Sequence, residues 1–215
     1  NLKDRDIASF VKEAQAKVTS AIQLPKGYRF YWGGQFKNLD RAKTRLVIIV
    51  PLTLFAVFLV LLRSFGNLTQ TLLVFSCIPF ATVGGIYSLY LRNIHFSVSA
   101  AVGFIALIGI ALLNALVLMT VLNEKRAHSS SAQSIKELAL EATVSRLRPV
   151  VMTALVASLG FLPMALNTGL GSEVQKPLAT VVIGGLMTAT LLTLLLLPSL
   201  FCYTQEFLGR NREMK

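Results

Sequence analysis

Five long apolar stretches, separated by short polar segments, dominate this chain of 215 residues. They cover residues 46–62, 71–91, 97–122, 149–167 and 177–203. The 21 basic and 10 acidic residues all lie outside them. A hydrocarbon core of roughly 30 Å requires about 20 apolar residues in a helix. The first stretch is short, but Arg45 and Arg63 flank it and can snorkel to the two interfaces. The pattern predicts an all-α membrane bundle of five transmembrane helices within residues 46–215.

Residues 1–45 follow a different pattern. Apolar residues recur at helical spacing from Ile7 to Ile22, behind Asp6 as a candidate N-cap, and Leu24–Gly27 ends that helix. Tyr28–Trp32 then alternates as a half-buried strand does. One helix and one strand cannot enclose a core. Residues 1–45 therefore read as the short α+β end of a domain that begins upstream, which agrees with the missing initiator Met.

Helix-packing signals recur inside the spans. Small residues separated by three others allow close helix approach. They occur at Ala81/Gly85, Ser99/Gly103, Ala111/Ala115, Thr153/Ala157 and Gly185/Ala189. Pro51, Pro79 and Pro163 lie within spans and are expected to kink them, whereas Pro149 and Pro177 lie near span starts, where a missing N–H costs little.

The only long connection is residues 123–148. Ser134 and Glu137 fit a capping box, which predicts a short separate helix over Ile135–Leu147. Apolar residues lie on both of its faces, and five basic residues accompany them. Two interpretations stay open: an interfacial segment on the cytoplasmic side of the membrane, or a solvated connector helix.

The net charge of +11 is divided among the extramembrane segments, so it does not indicate a nucleic-acid partner. If residues 1–45 belong to a folded domain, the short loops and tail carry 2 basic residues on the N-terminal side and 9 on the other. The positive-inside rule then predicts a periplasmic N-terminal segment and a cytoplasmic C-terminus.

Catalytic chemistry is nearly absent from the sequence. His95 and His128 lie in loops without carboxylate or Cys partners at triad or ligand spacing, and no nucleotide-binding motif occurs. We expect no enzyme activity and no cofactor. Soft metal donors do occur in the spans, but their spacing favours apolar packing over a metal site. These are Cys77, Met119, Met152, Met164, Met187 and Cys202.

Two buried polar residues matter more. Asn114 lies in the middle of the third span, where a carboxamide is costly unless it is hydrogen-bonded or lines a wet cavity. A structural interhelical bond and a role in an ion path are both open for it. Thr153 lies in the first turns of the fourth span, and bonding back to its own helix is the simpler interpretation.

Four segments resemble resistance–nodulation–division (RND) efflux transporters. Gly27–Gln35 is similar to the exit from their periplasmic porter domain. Val102–Gly109 with Leu113-Asn114 resembles their tenth transmembrane helix. Arg146–Thr153 resembles the start of their eleventh transmembrane helix. Thr168–Gly185 resembles the loop into the twelfth, in its heavy-metal form.

The resemblance covers nearly the whole chain and implies spans equivalent to helices eight to twelve of a proton-driven antiporter. It implies a homotrimer that lies in the bacterial inner membrane, together with a periplasmic adaptor and an outer-membrane channel. It also implies proton-path support by Asn114, Thr153 and Arg146 around an acidic helix outside this chain. The spans contain no Asp, Glu, Lys, Arg or His, so we expect this chain alone to support proton coupling but not to perform it.

Departures from the family pattern narrow the branch. Leu113 stands where drug transporters of this family have Lys and copper–silver transporters have Glu. Val150 stands where the copper–silver branch has Lys. Both differences favour the cobalt–zinc–cadmium type. A relative that exports drugs, lipids or secreted proteins, and a non-transporting membrane interaction remnant, are the alternatives.

Overall fold

The computed structural model describes residues 7–22, 25, 35–128, 134–169 and 171–213, with only the backbone for residues 7–9, 12, 35–43 and 206–213. Seven helices are assigned in this part of the chain. They are α1 (Ile7–Ala21), α2 (Gln35–Phe65), α3 (Leu68–Phe75), α4 (Cys77–Leu91), α5 (Val98–His128), α6 (Ile135–Leu166) and α7 (Ser172–Glu213). No strand occurs among these residues, and the strand predicted at residues 28–32 lies outside them.

The five predicted spans are confirmed as five helical segments long and apolar enough to cross a membrane. The second span consists of two helices, α3 and α4, which meet at Ser76. Pro79 explains the interruption, because it has no N–H to donate to the carbonyl of Phe75 four residues earlier. The helices continue through Pro51, Pro149, Pro163, Pro177 and Pro198.

The predicted separate helix over Ile135–Leu147 is wrong, because these residues form the first turns of α6 and continue into the fourth span. Leu138, Ala139 and Ala142 are buried, so this part of α6 packs as the membrane part does. Ser134 is the N-cap, but its side chain makes no capping hydrogen bond, so the predicted capping box does not form. The fifth span likewise begins earlier than Pro177, at Ser172.

The chain divides into two compact units, Asn1–Leu54 and Phe55–Lys215, with the division inside α2. In the first unit, α1 agrees with the predicted amphipathic helix, and Lys17 pairs with Glu13 one turn earlier. The proposed domain boundary between residues 45 and 46 stays a prediction.

In the second unit, α7 is the central helix and packs against α3, α4, α5 and α6. More than half of its apolar segment is buried, against 17% for α6. One core cluster includes Leu118, Leu122 and Phe201. The other includes Leu107 and Leu186. The fold therefore leaves α6 at the edge of the bundle.

Close packing among α4, α5 and α7 depends on glycine. A Cβ added at Gly85 would lie 2.5 Å from the ring of Phe104, and one at Gly103 would lie 2.9 Å from the carbonyl oxygen of Leu178. Real Cβ atoms essentially never approach other atoms below 3.0 Å. These positions confirm the expected role of small residues at helix contacts.

Candidate proton-path residues on two helices

Asn114 lies on α5, one residue before the buried Ala115. Its side chain is partly exposed and forms no hydrogen bond to any residue that the structure describes. Neighbouring Leu113 is 60% exposed, so Asn114 lies at the edge of the α5 face that the other helices leave uncovered. The structure therefore shows no interhelical bond for this carboxamide within the described residues.

Thr153 lies on the exposed side of α6. Its hydroxyl donates to the backbone carbonyl of Val150 at 2.8 Å. This is the intrahelical bond expected from threonine chemistry alone. Because the hydroxyl oxygen keeps free lone pairs, Thr153 can still accept a hydrogen bond from another helix.

Arg146 lines an open cleft of about 510 Å³ between the end of α5 and the start of α6. The cleft is also lined by Val121, Glu124, Lys125, His128 and Ser145. Lys125 pairs across it with Glu141, whereas Arg146 forms no ion pair with a described acidic residue. The guanidinium is therefore available for an anionic or carbonyl partner.

The structure places Arg146 and Thr153 on one face of α6, because seven residues make two helical turns, or about 10 Å along the axis. No hydrogen bond joins them to each other or to Asn114 within the described residues. The arrangement supplies one guanidinium, one hydroxyl and one carboxamide, but no carboxylate. It offers hydrogen-bond donors from all three side chains, and acceptors from the hydroxyl and the carboxamide.

The uncovered surface of α5 and α6 near these residues is apolar and contains two glycines. Exposed residues of α5 recur every three or four positions, at Val102, Ile105, Gly109 and Leu113. A Cβ added at Gly109, or at Gly160 on α6, would meet nothing within 4 Å. A glycine in a helix interior destabilises the folded protein by about 0.5–1 kcal/mol relative to alanine. No packing within the described part of the chain accounts for these two glycines.

Comparison with known proteins identifies the chain. The profile of the AcrB/AcrD/AcrF family matches residues 1–205. The chain belongs to the AcrB/AcrD/AcrF family. As a member with five apolar helices, it is a multi-pass inner-membrane protein. The resemblance to heavy-metal RND efflux transporters is confirmed.

Two curated relatives of this family are similar over nearly the whole chain. Protein HelA of Legionella pneumophila is 54% identical over 99% of the chain. The cobalt-zinc-cadmium resistance protein CzcA of Cupriavidus metallidurans is 52% identical over 94% of it. The crystal structure of a heavy metal efflux pump matches 96% of the chain, with a TM-score of 0.76 and 44% identity. The chain spans about a fifth of the length of each of these proteins.

Two polar groups that join helices were not anticipated from the sequence. Gln70 on α3 and Asn123 on α5 exchange two carboxamide hydrogen bonds, of 2.9 and 3.0 Å. Arg92, after α4, donates to Thr180 on α7 and to the carbonyl of Ala165 on α6. From the sequence, Arg92 was only one of the basic residues in the short loops. No local signal marks either group, because the partners are 53 to 88 residues apart.

Proposed function

We propose that this chain supplies helices eight to twelve of the inner-membrane subunit of a proton-driven RND pump that exports heavy-metal cations. The observation that carries the proposal is the 52% identity to CzcA, a protein named for cobalt, zinc and cadmium resistance, across 94% of the chain. Leu113 and Val150, where the copper–silver branch has ionisable residues, favour the same branch. The complete pump is a homotrimer with a periplasmic adaptor and an outer-membrane channel.

In the assembled pump, the uncovered faces of α5 and α6 pack against transmembrane helices that precede this chain. Gly109 and Gly160 support this, because open glycine surfaces let another helix backbone approach closely. Exposed apolar residues beside them, such as Leu113 and Val156, are 60% and 64% exposed and provide the apolar contact area.

At that contact, Asn114 and Thr153 hydrogen-bond around an acidic residue of a preceding helix. A carboxylate at membrane depth needs donors, and a carboxamide and a hydroxyl supply them without adding charge. Arg146 lies two turns from Thr153 and provides a fixed positive charge at the end of the same path. Hydrogen bonds to the charged form of a carboxyl stabilise it, so these residues tune proton binding rather than perform it.

The proposed topology places residues 1–45 in the periplasm, as the end of the porter domain, and the C-terminus in the cytoplasm. The end of α5 that carries Lys125 and Arg126, and the start of α6 that carries Lys136, Arg146 and Arg148, then face the cytoplasm. Arg92, at the end of α4, and Lys176, near the start of α7, are the basic residues described at the opposite ends of these helices. This distribution follows the positive-inside rule.

The test uses the full-length transporter that carries this chain, in cells whose own metal pumps are deleted. Asn114→Leu and Thr153→Val should be expressed at normal levels and lose resistance to zinc, cobalt or cadmium. An interhelical bond contributes only about 0.6–2 kcal/mol, so neither variant should unfold. Thr120→Val is the matched control, because Thr120 is exposed on α5 and its hydroxyl also donates within its own helix, to Leu116 at 2.9 Å.

Full resistance in both variants would leave Asn114 and Thr153 as packing residues. A wild-type transporter that protects cells against none of these metals would refute metal export itself. Drug or lipid export by that wild type would then favour the alternative substrates of this superfamily.

A further inference from the structure

One face of α4 packs against α7 in a strict antiparallel register. Residues one turn apart on α4 meet residues one turn apart on α7, and a small side chain faces a larger one at each level. The pairs are Gly84 with Thr188, Ser88 with Gly184, and Arg92 with Thr180. At the first two levels an added Cβ would collide with the opposite side chain. The register is therefore fixed by shape before Arg92 is reached.

At the third level, polar contacts replace steric fit. Arg92 donates from Nη1 to the hydroxyl of Thr180 at 2.7 Å. That hydroxyl donates in turn to the carbonyl of Lys176 at 2.7 Å, so Thr180 acts as acceptor and donor at once. Ser88 donates to the carbonyl of Thr180 at 2.9 Å. Thr180 is only 3% exposed, so these bonds are shielded from water.

Arg92 also reaches the C-terminal end of α6. Its Nη2 donates to the carbonyl of Ala165 at 2.8 Å. The last four carbonyls of a helix have no intrahelical partner. The chain leaves α6 through Asn167 in an extended conformation, with φ −60° and ψ 133°, rather than through the left-handed residue that often closes a helix. A cation at this position also interacts favourably with the negative end of the helix dipole.

The consequence concerns α6, which packs on α7 and α5 but leaves most of its apolar segment uncovered. Only 17% of its apolar segment is buried. Near the opposite end of α6, Glu141 pairs with Lys125 on α5, and the carbonyl of Ile135 accepts a hydrogen bond from Sγ of Cys202 on α7 at 3.8 Å. Four spans lie wholly in the second unit, and α6 is the least buried of them. Arg92 joins α6 to the central helix α7, at the end away from Arg146.

We propose that Arg92 is a positioning residue, a guanidinium clasp that holds the C-terminal end of α6 on α4 and α7 and so sets the position of Thr153 and Arg146. The inference rests on the proposed function, because its consequence is for proton coupling. Loss of one charge-assisted hydrogen bond shifts an equilibrium about tenfold or more, so α6 should sample released positions without the clasp.

The geometric arm of the test measures α6 directly in the purified full-length transporter. Spin labels replace Leu166 on α6 and Val174 on α7, which are 65% and 61% exposed, in a cysteine-free background. Arg92→Gln should broaden the distance distribution between the labels. Thr180→Val, which removes one acceptor and keeps the charge, should broaden it less. Lys176→Gln is the matched control, because it removes one positive charge from the same end of the bundle and keeps the backbone carbonyl that accepts from Thr180.

The functional arm measures proton-coupled zinc export in vesicles as a function of pH. Arg92→Gln should shift the pH of half-maximal export by about 0.5 units or more, equivalent to a threefold change in proton binding. Arg92→Lys should recover part of the shift, since a lysine keeps the charge but loses the forked geometry. His95, Glu173 and Lys176, the other charged or titratable loop and first-turn residues described at this end, are unchanged in the Arg92 and Thr180 variants.

An unchanged distance distribution in both Arg92→Gln and Thr180→Val overturns the clasp. A broadened distance distribution with an unchanged pH profile overturns the positioning role. It is the result expected of a purely structural contact, whose loss lowers the amount of folded protein but does not move the pH profile. If Lys176→Gln broadens the distance distribution and shifts the pH profile as much as Arg92→Gln does, the positioning role is also overturned. A wild type that exports no metal refutes the proposed function instead, and the distance measurement still decides the clasp.

Discussion

Substitution of Gly84 by alanine tests the packing on which the bundle depends. An added Cβ would lie 2.6 Å from Cβ and 2.8 Å from Cγ2 of Thr188 on α7. Carbon atoms normally approach to about 3.5–4.0 Å, so the two helices must separate by roughly 1 Å. Cβ of Thr188 is attached to the backbone, so rotation of the side chain does not relieve the contact. Overpacking of this kind costs about 1–3 kcal/mol.

The alanine also gains about 0.5–1 kcal/mol from its helix propensity relative to glycine. We therefore expect Gly84→Ala to lower the free energy of unfolding by about 1–2 kcal/mol. Gly160→Ala is the matched control, because an added Cβ there meets nothing within 4 Å. It should raise the free energy of unfolding by about 0.5–1 kcal/mol.

The assay is unfolding of the purified chain in mixed micelles as the dodecyl sulfate fraction is raised, followed by far-UV circular dichroism. The double variant Gly84→Ala/Thr188→Gly exchanges the small residue across the interface and should recover most of the loss. Strong coupling between the two positions is expected for residues in contact. Equal stability of Gly84→Ala and Gly160→Ala would refute the packing of α4 on α7.

Two further predictions concern topology and the carboxamide pair. In intact cells, a membrane-impermeant maleimide should label His95→Cys but not Ser130→Cys in a cysteine-free background; the reverse result would invert the proposed topology. Gln70→Leu should lower the free energy of unfolding by about 0.6–2 kcal/mol, since it leaves Asn123 unpaired. In a double-mutant cycle with Asn123→Leu, a coupling energy near zero would show that the two bonds contribute nothing.

The sequence alone predicted the features that depend on local composition. In lipid, backbone polar groups must be satisfied within the segment, so a charge-free apolar stretch of sufficient length forms a helix whatever its neighbours are. That reasoning located all five spans, and the helical spacing of apolar residues located α1. The family resemblance was equally readable, because it rests on ordered motifs such as Arg146–Thr153.

Tertiary structure decided which residues meet. Only the fold shows that the helix beginning at Ile135 continues into the fourth span, because burial of Leu138 and Ala142 against the bundle stabilises turns that the sequence pattern assigned to a separate helix. Only the fold brings Arg92 to Thr180 and Ala165, which lie 88 and 73 residues away in the sequence. Helix packing in lipid selects contacts by shape and polar pairing rather than by hydrophobicity, which every span shares. Hydropathy therefore predicts that a helix exists, whereas its neighbours and its register emerge only when the surfaces are in contact.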